Sequence, residues 1–338
     1  MNKKKLIWQL PFLILLIVGT VLIIRQQHTI PFKRSEGIIF GTTYHIAYQC
    51  DSDLSAGIKA ELEKVDVSLS PFNPQSIITA VNQNQDVKLN DMFLAVFQKA
   101  MSISEDTEGA FDITVAPLVN AWGFGFKNGK RPDRHQVDSL LQMVGYKKVK
   151  LRDGKVVKDD PRIMLDCSAI AKGFGTQVAA DFLRHRGVKN FMVEIGGEIV
   201  TSGVNDNRLP WRIGVTKPVD DSLSVSQEMQ TVLNVTDKAM ATSGNYRNFY
   251  YEGGRKFAHT IDPKTGYPVQ HSILSATVLA DDCATADAYA TSFMVMGLER
   301  AKKVLERHPE LMAYFIYSDE RGQNAVWFSP SMKDKIAE

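Results

Sequence analysis

Asp287 and Thr291 stand four residues apart in "ADDCATADAYATSFMVMG" (Ala280 to Gly297). On a helix that spacing puts a carboxylate and a hydroxyl on one face. Both are hard oxygen donors of the kind Mg2+ prefers, and Mg2+ also binds substrate phosphates. A helix-start acid beside a surface threonine is the plain structural alternative. A second centre is His259 in "FAHTIDPKTGYPV" (Phe257 to Val269), where Pro263, Gly266 and Pro268 make a tight, rigid loop. Imidazole is the side chain most easily poised to accept a proton near neutral pH. A lone histidine is often only structural, but Asp262 and Thr265 in the same turn favour a functional one.

Three further stretches are unusual for a simple core. "GAFDITVAPLVNAWGFG" (Gly109 to Gly125) combines Asp112 with aromatics and glycines, which lets a planar ligand approach the backbone. A turn flanked by core aromatics is the competing reading. "LDCSAIAKGFGTQVAADFL" (Leu165 to Leu183) sets Asp166 and small residues before a helical pattern, so free N–H groups at the helix start could face an anion such as phosphate. It lacks GxGxxG or Walker spacing. "VEIGGEIVTSG" (Val193 to Gly203) has a glycine pair at a strand end, either a bulge or a place of close ligand approach. The chain shows neither a Ser-His-Asp order nor HExxH. An oxygen-liganded metal site, an anion-ready helix start, glycines for a planar ligand and one loop histidine suit metal-assisted cleavage or transfer at a nucleotide pyrophosphate.

The elements that must position these groups read as α+β. "IIFGTTYHIAYQC" (Ile38 to Cys50) is a strand or hairpin arm by its β-branched and aromatic content. Leu54, Ile58, Leu62, Val65 and Leu69 define an amphipathic helix that Pro71 closes. A second helix spans Asp91 to Ser104 with Asn90 as its cap. Strands are expected at Phe191–Ile195, Arg212–Thr216, Thr231–Val235, Ile273–Leu279 and Met312–Tyr317, and one helix from Thr285 to Arg307. "KPVDDSLSVSQEMQ" (Lys217 to Gln230) reads as a polar hairpin loop. Helices and strands do not alternate regularly, which argues against a doubly wound fold.

The formal net charge of +2 and the absence of a basic block exclude nucleic-acid binding as the natural reading. At the N-terminus, "MNKKKLIWQLPFLILLIVGTVLIIR" places three lysines before the apolar run Leu6 to Ile24. As a helix this run spans about 28 Å, close to the roughly 30 Å hydrocarbon core. It exceeds a usual signal core, and "RQQHTIPFKRS" offers no small-x-small cleavage site. An uncleaved anchor is therefore favoured over a cleaved signal peptide, with Lys3, Lys4 and Lys5 cytoplasmic and the rest of the chain outside, although Arg25 and Lys33-Arg34 weaken that bias. Residues 1–25 are read as the anchor, 26–36 as a tether and 37–338 as the catalytic domain. Cys50, Cys167 and Cys283 form neither a disulfide framework nor a zinc spacing, and read as small buried hydrophobes.

Six segments in series, "GAFDITVAPLVNAWGFG", "DCSAIAKGFG", "EIGGEI", "ATSGNYRNF", "HTIDPKTGYP" and "DCATADAYAT", resemble the ApbE family of FAD:protein FMN transferases over nearly all of Ile38 to Pro330. The resemblance implies an ApbE-like, T-fold-related α+β domain that takes FAD and Mg2+. Such enzymes move FMN to a threonine or serine hydroxyl of a partner protein and release AMP. Partners implied are flavin-carrying subunits of complexes like sodium-pumping NADH:quinone reductase (Nqr) or Rnf, or small extracytoplasmic FMN proteins. The location implied is the outer side of the bacterial cytoplasmic membrane. By motif, Asp287, Thr291 and the backbone oxygen of Ala169 match the metal ligands. Asp166, Lys172, Phe40, Phe72, Ala110, Phe111, Asp112 and Ile261 match FAD contacts, and His259 matches the base for the acceptor hydroxyl. Phe40 stands where methionine is usual, and Phe72 where tyrosine or tryptophan is common; both keep an apolar wall. "DCSA" replaces a glycine-rich form, so each metal-binding segment carries a cysteine, and a Cys167–Cys283 disulfide is an expectation that follows. Two other readings share the pocket: an FAD pyrophosphatase with water as acceptor, and a non-catalytic FAD binder, against which Asp287, Thr291 and His259 argue.

Overall fold

Period-two burial shapes the start of the chain. In β2 (Thr42–Gln49), Tyr44, Ile46 and Tyr48 turn inward while Thr43 and His45 face out. β2 pairs antiparallel with β1 (Phe32–Ile39) through a turn at Phe40-Gly41. The arm expected from Ile38 is thus a full hairpin that starts at Phe32, and residues 32–36, read as tether, lie in the sheet. The computed structural model describes residues 11–20, 30–125, 131–218, 228–245, 249–252 and 255–337. Residues 11–20 are helical (α1) and largely exposed. Among the described residues no helix is long and apolar enough to cross a membrane, and both ends of the N-terminal apolar run, 6–10 and 21–24, lie outside them.

Helical periodicity holds where it is strong. α2 (Ser55–Leu69) buries Ile58, Leu62, Val65 and Leu69, each such burial stabilising by roughly 1.5–3 kcal/mol, and ends before Pro71. After the short α3 (Ile77–Asn82), α4 (Asp91–Asp106) starts at Asn90, whose side-chain oxygen accepts from Phe93 N. α5 (Ala116–Ala121), α6 (Arg134–Leu141) and the hairpin β3 (Val149–Arg152) and β4 (Lys155–Lys158) lead to α7 (Ser168–His185). Next come β5 (Phe191–Ile195), β6 (Glu198–Ser202), and the antiparallel pair β7 (Trp211–Thr216) and β8 (Met229–Val235). The loop read between the last two lies mostly outside the described residues. β9 (Ala239–Gly244), the hairpin β10 (Phe249–Glu252) and β11 (Arg255–Ala258), and β12 (Ile273–Ala280) follow. α8 (Cys283–Met296), α9 (Leu298–Arg307), β13 (Met312–Ser318) and β14 (Asn324–Phe328) complete the fold.

Eight strands form one antiparallel sheet among the described residues, in the order β1-β2-β5-β6-β9-β12-β13-β14. α7 and α8 lie against each other and against the sheet, with α2 packed on α7 and α4 on α8. Alternate strand residues such as Ile199, Met240, Leu279 and Ile316 turn to the other face, where Trp211, Ile213 and Leu233 cover them. At the centre of the sheet β6 and β9 share two residue pairs, Ile199 with Met240 and Val200 with Ala239. Past the Ile199–Met240 pair the strands part, while at the other end Thr201 N still donates to Lys238 O. Glu198 on β6, paired outward to β5, and Thr242 to Gly244 on β9, paired outward to β12, then line a cavity between them.

α8 is apolar nearly all round and accordingly buried nearly all round, with Ala284, Ala286, Ala288 and Ala290 allowing close neighbours. The helix expected to run from Thr285 to Arg307 is two. Gly297, at φ 79 and ψ 169, breaks it, and α9 leaves in a new direction. The expected Cys167–Cys283 pair does not form, and all three cysteines are free thiols. Cys167 packs in the cluster around α4 and α8, whereas Cys283 packs against the β2–β5–α7 cluster with its Sγ directed at the Ile199 and Met240 carbonyls. Burial raises both thiols well above their ordinary range. Because the Gly297 backbone conformation is open essentially to glycine alone, Gly297→Ala should cost about 1–3 kcal/mol. A lower urea midpoint at unchanged slope is the expected result.

Candidate active site

The parting of β6 and β9, roofed by α7 and α8, opens a cavity of about 830 Å3. Its size is in the upper part of the range for small-molecule and cofactor sites. Phe72, Ala110, Phe111, Asp112, Asp166, Ala169, Lys172, His259, Ile261, Asp287 and Thr291 all line it. Phe40 does not. It occupies the β1–β2 turn at φ 52, and a Cβ at Gly175 would lie 2.5 Å from its ring, so Phe40 is committed to packing on α7. Phe72 is 68 % exposed and forms an open edge, whereas Phe111 is buried in the wall.

α8 presents Asp287 and Thr291 to the cavity from one helix face. Asp287 is buried, and burial pushes its carboxyl above the ordinary value. Part of that cost is offset by the Gly173 N–H, which donates to Asp287 Oδ2 at 3.0 Å. This contact requires glycine, because a Cβ on residue 173 would collide with the Cys283 carbonyl and come within 2.8 Å of Asp287 Cβ. Thr291 Oγ1 lies 3.0 Å from Ser243 Oγ on β9. At the start of α7, Asp166 Oδ1 accepts from Ser168 N at 2.7 Å and so occupies one of the free N–H groups.

The glycine pair Gly196-Gly197 is a two-residue hairpin turn between β5 and β6, not a bulge, with φ of 62° and 103°. Glu194 ties it down, accepting from Gly197 N at 2.7 Å and meeting His45 Nδ1 at 2.8 Å. Immediately after the turn comes Glu198, buried, whose Oε1 holds Lys172 Nζ at 2.5 Å. Burial raises the Glu198 carboxyl to about 7 against the pull of Lys172. Burial also opposes charge on Lys172, but the Glu198 and Asp287 carboxylates outweigh it and keep the ammonium above its usual range. Neither Glu198 nor Ser243 was singled out from the sequence. The EIGGEI stretch attracts attention for its glycines, and only folding sets its second acid opposite Lys172.

His259 follows β11 into a loop closed on itself. Gly266 N donates to Asp262 O, Asp262 N to Tyr267 O, and Val269 N to Thr260 O. Asp262 Oδ1 accepts from Lys264 N at 2.9 Å, so this acid fixes the turn. Trp122, fully buried, donates its indole N–H to Gly266 O at 2.8 Å and stacks on Phe257 at 5.6 Å. Phe124 meets the His259 ring edge-on at 6.4 Å and stacks on Tyr250. Two aromatics of the Gly109–Gly125 stretch therefore brace the histidine loop. Asp112 also serves the protein: Oδ1 accepts from Thr114 N and Oγ1, and Oδ2 from Tyr146 N at 2.7 Å. Burial still raises its carboxyl. Asp112→Asn would set an amide donor against one of those donors, costing about 1–3 kcal/mol. A fall in melting temperature is expected, read by thermal unfolding.

Fold and site together define an α+β enzyme with a large, partly apolar cavity lined by a buried acid, a lysine and a histidine. Residues 40–315 match the ApbE family, and the chain belongs to that family. It is 38 % identical to the FAD:protein FMN transferase of Vibrio cholerae over 84 % of this chain and 87 % of that protein. Its identity to the Haemophilus influenzae protein of the same name is 37 %, covering 85 % and 86 % of the two chains. Among solved structures, flavin transferase ApbE from Vibrio cholerae superposes with a TM-score of 0.80 at 35 % identity, covering 90 % of this chain and 99 % of that one. The apbe protein from Thermotoga maritima gives 0.79 at 26 % identity, covering 91 % and 100 %.

Proposed function

We propose that this chain transfers the FMN moiety of FAD to a threonine or serine hydroxyl of an acceptor protein, forming a phosphoester-linked flavin and releasing AMP. The observation that carries the reading is the convergence of His259, Lys172, Asp287 and Thr291 on one cavity in a chain of this family. Phe72, Ala110, Phe111 and Ile261 offer an apolar wall to the flavin ring. Lys172 and the start of α7 face the pyrophosphate.

The donor set also fits Mg2+. A desolvated carboxylate with one backbone N–H donor, a hydroxyl one turn on, and the first turn of α7 supply hard oxygens at the same place. Asp287, Thr291 and the Ala169 carbonyl would hold the ion, which when bound neutralises charge on the pyrophosphate. His259 accepts the proton of the acceptor hydroxyl as its oxygen bonds to the phosphorus nearest the flavin ribityl chain. The bond from that phosphorus to the AMP side breaks, and AMP leaves. The brace of Trp122, Phe124 and the loop's own hydrogen bonds limits how far the imidazole can drift, which such a transfer requires.

The N-terminal lysines and apolar run support a single-pass anchor in the bacterial cytoplasmic membrane with the catalytic domain outside. Acceptors there would be flavin-carrying subunits of Nqr- or Rnf-type complexes or other extracytoplasmic FMN proteins. The test is incubation of the protein with FAD, Mg2+ and such an acceptor, followed by in-gel flavin fluorescence and AMP quantification. A fluorescent acceptor is expected; AMP without it would make the chain a pyrophosphatase, and neither would make it a binder. His259→Ala should retain FAD and transfer FMN about 10²–10⁴-fold more slowly, and unchanged turnover would remove His259 from the mechanism. Asp287→Ala should lose activity and Mg2+ stimulation together, whereas full wild-type activity in a chelator would overturn the metal's role.

A further inference from the structure

Glu198 has specific surroundings within the cavity wall. It is 3 % exposed, and its Oε1 grips Lys172 Nζ at 2.5 Å, while Oε2 is buried with no hydrogen-bond partner among the described residues. A buried carboxylate of this kind costs free energy unless its charge is used. Lys172 also lies near enough to Asp287 for its charge to act there, and all three side chains line the same cavity. Asp287 has the Gly173 N–H as a donor, with no ammonium bonded to it among the described residues. The lysine thus shares the cavity wall with two acids and is bound to the one that is not a candidate metal ligand.

We propose that Glu198 is a positioning residue that holds the Lys172 ammonium off Asp287, so that Asp287 stays open to a divalent cation while Lys172 stays aimed at the pyrophosphate. The inference rests on the metal-dependent reading above and deepens it. Without the Glu198 carboxylate, the nearest strong anion for Lys172 is Asp287. An ammonium paired there neutralises the ligand and competes directly with the cation.

The test is Mn2+ binding to the full chain saturated with FAD, followed by electron paramagnetic resonance and calorimetry, with Mg2+ as competitor. Glu198→Gln should weaken the cation by about tenfold or more while FAD remains bound. Glu198→Asp keeps the charge but withdraws the carboxylate by one methylene, and should also weaken it. The double variant Glu198→Gln/Lys172→Gln should bind the cation within about threefold of wild type, because the competitor is gone. The proposal is overturned if Glu198→Asp binds like wild type, which would leave net charge as the whole effect. It is equally overturned if the double variant stays as weak as Glu198→Gln, which would make Glu198 itself a ligand. Wild-type protein that binds no Mn2+ at all would instead strike at the metal-dependent reading, so the two failures are distinguishable. Restored cation binding in the double variant should not restore kcat, since Lys172 is then missing from the pyrophosphate.

Discussion

The approach of α7 to α8 at Gly173 is the contact on which the site depends. With no side chain at that position, the α7 backbone lies against the Cys283 carbonyl and its N–H reaches Asp287. The same contact places the first turn of α7, with Asp166, Ala169 and Lys172, beside the face of α8 that carries Asp287 and Thr291. Any larger residue would separate the helices and take the two halves of the site apart. The small residues of α8 serve the same end, letting a helix buried on nearly every side pack against sheet and helix at once.

The sheet supplies the room. A continuous ladder between β6 and β9 would leave no space between the two halves of the sheet. The two shared residue pairs hold the sheet together, and the parting beyond them leaves Glu198 and Thr242 to Gly244 facing a cavity. The acids around the cleft then differ by environment. Asp112 spends both oxygens on Thr114 and Tyr146, Asp262 holds its turn, Glu198 holds Lys172, and Asp287 takes a single backbone N–H from Gly173. Carboxylates of the same chemistry thus divide into structural and chemical ones according to the donors that reach them.

The histidine loop shows how distant segments interlock. Its glycine carbonyl is held by Trp122 from a stretch whose aromatics look, in isolation, like a platform for a planar ligand. Phe111 and Phe124 do line the cavity, but Phe124 together with Trp122 also stiffens the loop. A rigid mount for the imidazole matters more than its mere presence, because a proton acceptor displaced by about 1 Å loses much of its effect.

The sequence alone determined the elements whose signals are local. The 3.6-residue period placed α2, Asn90 marked the start of α4, and β-branched runs located β5, β12 and β13, because caps and amphipathic faces are written into neighbouring residues. The i, i+4 spacing of Asp287 and Thr291 and the turn chemistry around His259 were legible for the same reason. Tertiary structure alone decided the rest. It split the last long helix at Gly297, carried Phe40 away from the cavity onto Gly175, and kept Cys167 and Cys283 in separate clusters. It also paired Glu198 with Lys172 across 26 residues and turned Asp112 into a structural acid. These outcomes follow from which surfaces meet and which polar groups find partners once water is excluded, and no short window of residues contains that information.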